Sequence, residues 1–228
     1  MKKYKGVLLT DGLSQYEVVV NKYNLAHAGC WAHVRRKFND AIKGGESGIC
    51  ERAMLIIQKM YMIERKINEN AFSDSKILDT RNKETKLLFD EFFCLMEEGR
   101  LKILPKSLTG KAIYYALSQN EKGKLSTFFD YAFVPIDNNM AENYIRPFAV
   151  GRRNWLFSGS PRGAAASVAI YSAIQTAIAN GLDPYWYLRY LFEKLPYLKS
   201  KADFRSVAPY NLDADIIKVF AKENGGII

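Results

Sequence analysis

Two carboxylates stand in sequence surroundings suited to work on a phosphate. Asp11 closes the run GVLLTDG (Gly6 to Gly12), so it falls at the C-terminal end of an expected strand. Open parallel sheets collect their ligand-binding and catalytic groups at that end. A carboxylate there can hold a divalent metal, although an isolated Asp-Gly is also what a plain polar turn looks like. Glu142 follows Asn139 by three residues, the spacing of a capping box. Its neighbourhood adds a second reading: Arg146, Arg152, Arg153 and Arg162 lie around it, and no other acid occurs until Asp183. A solitary carboxylate in a cationic, Gly-punctuated, aromatic stretch suits a metal-bridged phosphate.

Other residues offer weaker chemistry. Ser158 to Gly163, SGSPRG, leads into an expected helix, so its backbone N–H groups and Arg162 can hold a phosphate; a serine cap followed by proline explains it equally well. Trp155 and Phe157 alternate as in a half-buried strand, or stack on a base. Cys30 and His33 form a C-x-x-H pair, but His27, Cys50 and Cys94 supply no matching second pair, so a structural zinc is not expected. Arg35, Arg36 and Lys37 follow on the same helix, a cluster that either contacts DNA phosphates or solvates a helix face. There is no G-x-x-x-x-G-K loop and no G-x-S-x-G elbow, and two histidines are too few for most hydrolytic triads.

The elements that position these groups are legible as patterns. Apolar runs at Gly6 to Gly12 and Leu25 to Gly29 predict two strands, and the short Ser14 to Tyr23 connection lets them lie parallel. From Trp31 the period turns helical, with Trp31, Val34, Phe38 and Ile42 on one face until Gly44 and Gly45. Further helices are predicted over Glu51 to Asn70, over Ser75 to Glu98 with Leu78, Leu87, Leu88, Phe92 and Leu95 inward and Gly99 as the stop, and over Thr109 to Asn120. A shorter one is predicted around Leu125 to Tyr131. Asn138 or Asn139 then caps a short helix that Pro147 stops, and Asn154 to Gly159 reads as extended. Ser160-Pro161 opens a long Ala-rich helix ended by Gly181, and Asp183-Pro184 opens another.

Composition bounds the rest. At 228 residues, 48% hydrophobic and 25% charged, the chain is globular, with one or two domains. Its net charge of +9 favours a polyanionic partner. The excess is uneven: +5 over residues 1–45, −2 over 46–100 and +3 over 139–190. Three cysteines without a framework and no leader-like start indicate a reducing cytoplasm, and no apolar run reaches the ~18 residues of a membrane span.

Taken in order, GVLLTDGLSQY, the run from Cys30 to Phe38, PKSLTGKAIYYAL, IDNNMAENYIRPFAVGRRNWLFSGSPRG, NGLDPYWYLRYLFEKLP and the closing APYNL resemble the insertion-sequence-66 transposases. That family belongs to the DDE superfamily, with an RNase H-like core. The resemblance implies an α/β fold: a partial RNase H-like core of few parallel strands carrying a large α-helical insertion, so that this chain is predominantly helical. It implies a partial core over 1–30 with Asp11, the insertion over 31–131, the rest of the core with the Glu142 helix over 132–197, and a tail over 198–228. Asp11 corresponds to the second catalytic Asp and Glu142 to the catalytic Glu, and both would bind Mg²⁺ in a two-metal site. The family's first catalytic Asp lies upstream of the segment matched here, and no acid precedes Asp11, so the site is incomplete in this chain. The implied chemistry is metal-dependent DNA cleavage and strand transfer in a bacterial cytoplasm. The implied DNA contacts are Arg35, Arg36, Lys37, Arg146, Arg152, Arg153, Trp155 and Arg162, facing transposon ends and target. The other reading is a non-catalytic DNA-binding or regulatory remnant that self-associates or pairs with a complete transposase.

Overall fold

The computed structural model describes residues 4–155 and 158–226, apart from the side chains of Arg152, Arg153 and Trp155. It divides into two compact units, Met1–Met140 and Ala141–Ile228. The chain is predominantly helical with one small parallel sheet, as the resemblance implies.

In the first unit, β1 (Val7–Thr10) pairs in parallel with β2 (Ala26–Gly29), Val7 opposite Ala26 and Thr10 opposite Gly29. The crossover is α1 (Gln15–Tyr23), closed by Asn24 in the left-handed conformation that asparagine tolerates. The helical block continues as α2 (Trp31–Lys43), α3 (Ile49–Glu69), α4 (Asp74–Thr80), α5 (Lys86–Lys102) and α6 (Leu108–Glu121), then a 3₁₀ turn at Thr127–Phe129. The expected apolar face of α2 is buried: Trp31, Val34 and Phe38 are inaccessible, among Ile57 and Met60 of α3, Phe92 and Met96 of α5 and Ile113 of α6. The Trp31 ring meets Phe89, Phe92 and Phe93 edge-on at 5.9, 5.2 and 6.2 Å, and its indole N–H donates to the Leu125 carbonyl at 3.1 Å.

The helix expected over Ser75 to Glu98 departs in two ways. Five residues, Arg81–Thr85, form a π-helical segment between α4 and α5. Such a segment inserts a residue into the helical ladder and rotates the succeeding turns about the axis. Leu87, expected inward, is consequently 70% exposed. Nor does Gly99 stop the helix: a β-carbon there would lie 2.8 Å from Ile113 Cδ1, so the glycine admits α6 to close packing.

The second unit holds α8 (Pro161–Ala179), α9 (Pro184–Lys194), α10 (Lys201–Ser206) and α11 (Ala214–Glu223), and α7 (Asn139–Trp155) begins just before the division. Pro147 sits inside α7 and does not end it. A proline removes one backbone bond and strains one turn, a cost that packing can offset; just beyond it, Phe148 meets Tyr171 of α8 edge-on at 5.3 Å. Asn154 and Trp155 are therefore helical, and Phe157 lies outside the described residues. Ser160 caps α8 by accepting the Gly163 N–H at 3.1 Å, and Asp183 caps α9 by accepting that of Trp186 at 3.0 Å. A small core gathers Ala177, Leu182, Tyr187 and Ile217. Among the described residues no helix is long and apolar enough to cross a membrane.

Candidate functional site

Asp11 is the first residue past β1, at the C-terminal end of the parallel pair. Its Oδ1 accepts the Leu13 N–H at 3.1 Å, and its carbonyl accepts the Tyr115 hydroxyl at 2.9 Å. The other carboxylate oxygen takes no hydrogen bond from the described residues. Burial pushes the Tyr115 hydroxyl up to about 12, so it remains a donor at ordinary pH.

Behind the loop, Thr10 Oγ1 and His27 Nε2 are 2.8 Å apart across the strand pair. Burial of the imidazole, with the nearby Lys124 ammonium, holds His27 down at about 4. Lys124, 3% exposed, reaches Glu17 Oε1 at 2.9 Å, and Lys122 reaches the same oxygen at 2.7 Å. Hydrogen bonds from Lys122 and Lys124 draw Glu17 down to about 2.

These shifts set a pH dependence. Below the ordinary histidine value of 6.5 the unfolded chain takes up a proton at His27 that the folded chain refuses until about 4. Stability therefore falls as pH drops through that window. Glu17 prolongs the fall below 4.5, since its carboxylate is held charged in the fold to about 2. His27→Asn is expected to flatten the upper part of this profile. Urea midpoints at pH 7 and pH 4.5 check it, and an equal drop in both proteins would count against His27 as the source.

One member of the basic cluster reaches the residue that holds this loop. Arg35, Arg36 and Lys37 are exposed on α2, which starts where β2 ends, and Lys37 Nζ stands 4.6 Å from the Tyr115 ring centroid. Tyr115 is thus shared, its ring covered by Lys37 and its hydroxyl bonded to the Asp11 carbonyl. Cys30 precedes α2 and is buried; its sulfur accepts the Asn138 N–H at 3.5 Å, and burial raises the thiol, which disfavours a metal-binding thiolate. His33 lies in the first turn of the same helix, half-buried.

Glu142 lies in the first turn of α7, where the helix dipole favours a carboxylate, and is half-buried. Arg146, one turn on, is exposed, as is Arg162 in the first turn of α8. Arg152, Arg153 and Trp155 fall on the last turn of α7, with side chains outside the described set. Asp11 belongs to the first unit and Glu142 to the second.

Three residues escaped the reading of the sequence. Asp137 accepts the Tyr61 hydroxyl at 2.8 Å and both the N–H and the side-chain amide of Asn139, at 3.0 and 2.9 Å. Its signal was available, since an Asp two residues before an Asn is the spacing of an Asx turn. Tyr115 and Gln119 carry none, because their partners lie over a hundred residues away.

A divalent metal can be tested against these donors. No group of three or more His, Cys, Asp or Glu side chains that could hold an ion occurs among the described residues, which does not fit a four-ligand zinc cage. Asp11 keeps one carboxylate oxygen without a hydrogen bond among the described residues, and Mg²⁺ in general is held by as few as one or two carboxylates, with waters or phosphate oxygens for the rest.

Comparison with known proteins bears on both units. Residues 1–166 match the family model described as Transposase IS66 family, and residues 172–210 match the IS66 C-terminal element. Among curated proteins, the uncharacterized protein y4qI of Sinorhizobium fredii is 28% identical over 222 residues, covering 94% of this chain and 40% of that protein. The uncharacterized protein y4hP of the same organism is 31% identical over 197 residues, covering 79% of this chain and 35% of its own length. The chain thus spans well under half the length of these relatives. No solved structure matches it significantly.

Proposed function

The chain belongs to the IS66 family of transposases, and from that premise we propose that it is a C-terminal catalytic region for metal-dependent DNA cleavage and strand transfer. The observation that carries this reading is Asp11: a carboxylate at the C-terminal end of a parallel strand, with one oxygen unengaged and its carbonyl held by Tyr115, the ring that Lys37 of α2 covers. Asp11 and Glu142 are the metal-binding carboxylates. Bound Mg²⁺ supplies charge stabilisation to the attacking and leaving oxygens of an in-line phosphoryl displacement. The chain's own part is to hold the strand: Arg35, Arg36 and Lys37 on one unit, and Arg146, Arg152, Arg153, Trp155 and Arg162 on the other, contact backbone and bases of transposon-end and target DNA.

Among the described residues no three His, Cys, Asp or Glu side chains gather to hold a metal, and the chain of residues 1–228 by itself is expected to bind DNA without joining it. With Mg²⁺, its affinity for element-end duplex should rise, and Asp11→Ala or Glu142→Ala should remove that increment. Efficient cutting or joining by the purified chain would show that the carboxylates have been misassigned.

A second reading is favoured by the sheet. Among the described residues β1 pairs with no strand but β2, and the Val7 carbonyl accepts the Tyr4 hydroxyl at 2.9 Å. An open strand edge invites pairing with another chain. A regulatory chain that docks there onto a complete transposase would bind DNA in a salt-sensitive way, indifferent to Mg²⁺ and to both alanine substitutions.

A further inference from the structure

The loop that carries the Asp11 carboxylate is gripped from the far side by α6. The Tyr115 hydroxyl donates to the Asp11 carbonyl at 2.9 Å, across 104 residues of chain. Gly12 comes next with φ of +89°, and a β-carbon built on it would lie 2.9 Å from Tyr115 Oη and 3.1 Å from Gln119 Oε1. Tyr115 and Gln119 are four residues apart on one helix and so share a face. Gln119 is only 6% exposed, and its Oε1 has no hydrogen-bond partner among the described residues; it lies against the Gly12 backbone instead. Glycine at position 12 thus serves two needs, the left-handed backbone and the close approach of α6.

We infer that Tyr115 is a positioning residue for Asp11, so that the helical block, through α6, sets the backbone from which the metal-binding carboxylate projects. The inference rests on the reading of Asp11 as a metal ligand. Two bonds divide the work. The Leu13 N–H orients the carboxylate relative to its own loop, and Tyr115 fixes the loop relative to the helices. A two-stranded sheet has little rigidity of its own, and β1 has a single strand neighbour among the described residues. Without Tyr115 the loop would spread over several conformations, and apparent metal affinity would fall by the fraction that remains competent. Gln119 supplies the floor against which the loop rests, and Lys37 covers the Tyr115 ring.

The test is a Mn²⁺ titration of the ¹⁵N-labelled full chain, following paramagnetic broadening of the Asp11, Gly12 and Leu13 amides. In the wild type these amides should broaden first. Tyr115→Phe, which keeps the ring and loses the hydroxyl, is expected to raise the Mn²⁺ midpoint about fivefold, the scale of one hydrogen bond. Amide exchange at Gly12 and Leu13 should quicken in the same variant while β2 and the rest of α6 keep their spectrum. Tyr114→Phe, a neighbour with its ring in solvent, should change neither. Gly12→Ala intrudes on the same contact from the other side and should raise the midpoint as well, which keeps the test open if Tyr115→Phe folds poorly. Equal midpoints in the wild type and both loop variants overturn the role of Tyr115. An absence of broadening at Asp11 in the wild type instead overturns Asp11 as a metal ligand.

Discussion

Replacing Arg81 by alanine is expected to cost the first unit about 3 to 5 kcal/mol, the range for stripping one partner from a buried ion pair. Arg81 is 3% exposed and each of its three guanidinium nitrogens donates a hydrogen bond. Nε and one terminal nitrogen grip Glu64 at 2.8 and 2.7 Å, while the other terminal nitrogen donates to the carbonyls of Phe128, Tyr131 and Ala132 at 2.8, 3.2 and 3.4 Å. One side chain therefore ties α3, the π segment and the 3₁₀ turn together. Truncation leaves the Glu64 carboxylate, itself buried, without a counter-charge, and frees three carbonyls. The penalty lies in the orphaned partner more than in the lost attraction, so Arg81→Met with Glu64→Leu should recover much of it. Urea unfolding of the single and double variants measures both. A single variant within about 1 kcal/mol of wild type would mean that water enters and solvates Glu64.

Neutralising Arg35, Arg36 and Lys37 together is expected to produce the largest functional loss. All three are exposed on α2, and among the described residues none forms an ion pair with an acid, so their charge is available to a polyanion. If each meets one phosphate, the slope of log affinity against log salt should become shallower by roughly 0.9 per contact, about 2.7 in all. At 0.1 M salt that corresponds to between two and three orders of magnitude in affinity. Fluorescence anisotropy with a labelled duplex at several salt concentrations reads the slope directly. A change of slope below about 1 would place the DNA elsewhere on the chain. Because the side chains point into solvent, thermal stability should barely move, apart from the loss of the Lys37 contact with Tyr115.

The two variants probe features of different legibility. The α2 cations could be read from the chain, since three adjacent basic residues on a helix with a regular apolar face must include some that face outward. Arg81 could not. It stands in a helix of alternating charges, where a surface position is the natural reading, and only the π segment turns it inward. The same division runs through the candidate site. Asp11 was legible because an apolar run followed by Asp-Gly ends a strand, and Glu142 because it is the only acid in a long basic stretch. Tyr61, Tyr115 and Gln119 were invisible, being ordinary members of amphipathic helices until the fold sets them against Asp137 and the Asp11 loop.

The breaker residues show the limits of local rules. Gly99 and Pro147 were both expected to end helices, and both lie inside one. A breaker raises the cost of a helix by a fixed local amount, whereas packing across it can return more than that amount. At Gly99 the close approach of Ile113 uses the missing side chain as space.

By itself the sequence determined the order of elements, the apolar faces of α2, α3 and α6, the position of Asp11 at a strand end and the family to which the chain belongs. These are properties of short windows, in which periodicity, caps and turns act within a few residues. The tertiary structure alone decided the burial of Arg81, the passage of α7 through Pro147 and the grip of α6 on the loop bearing Asp11. Each depends on groups far apart in the chain, and the energy of a contact is set by the distance in space at which folding leaves them.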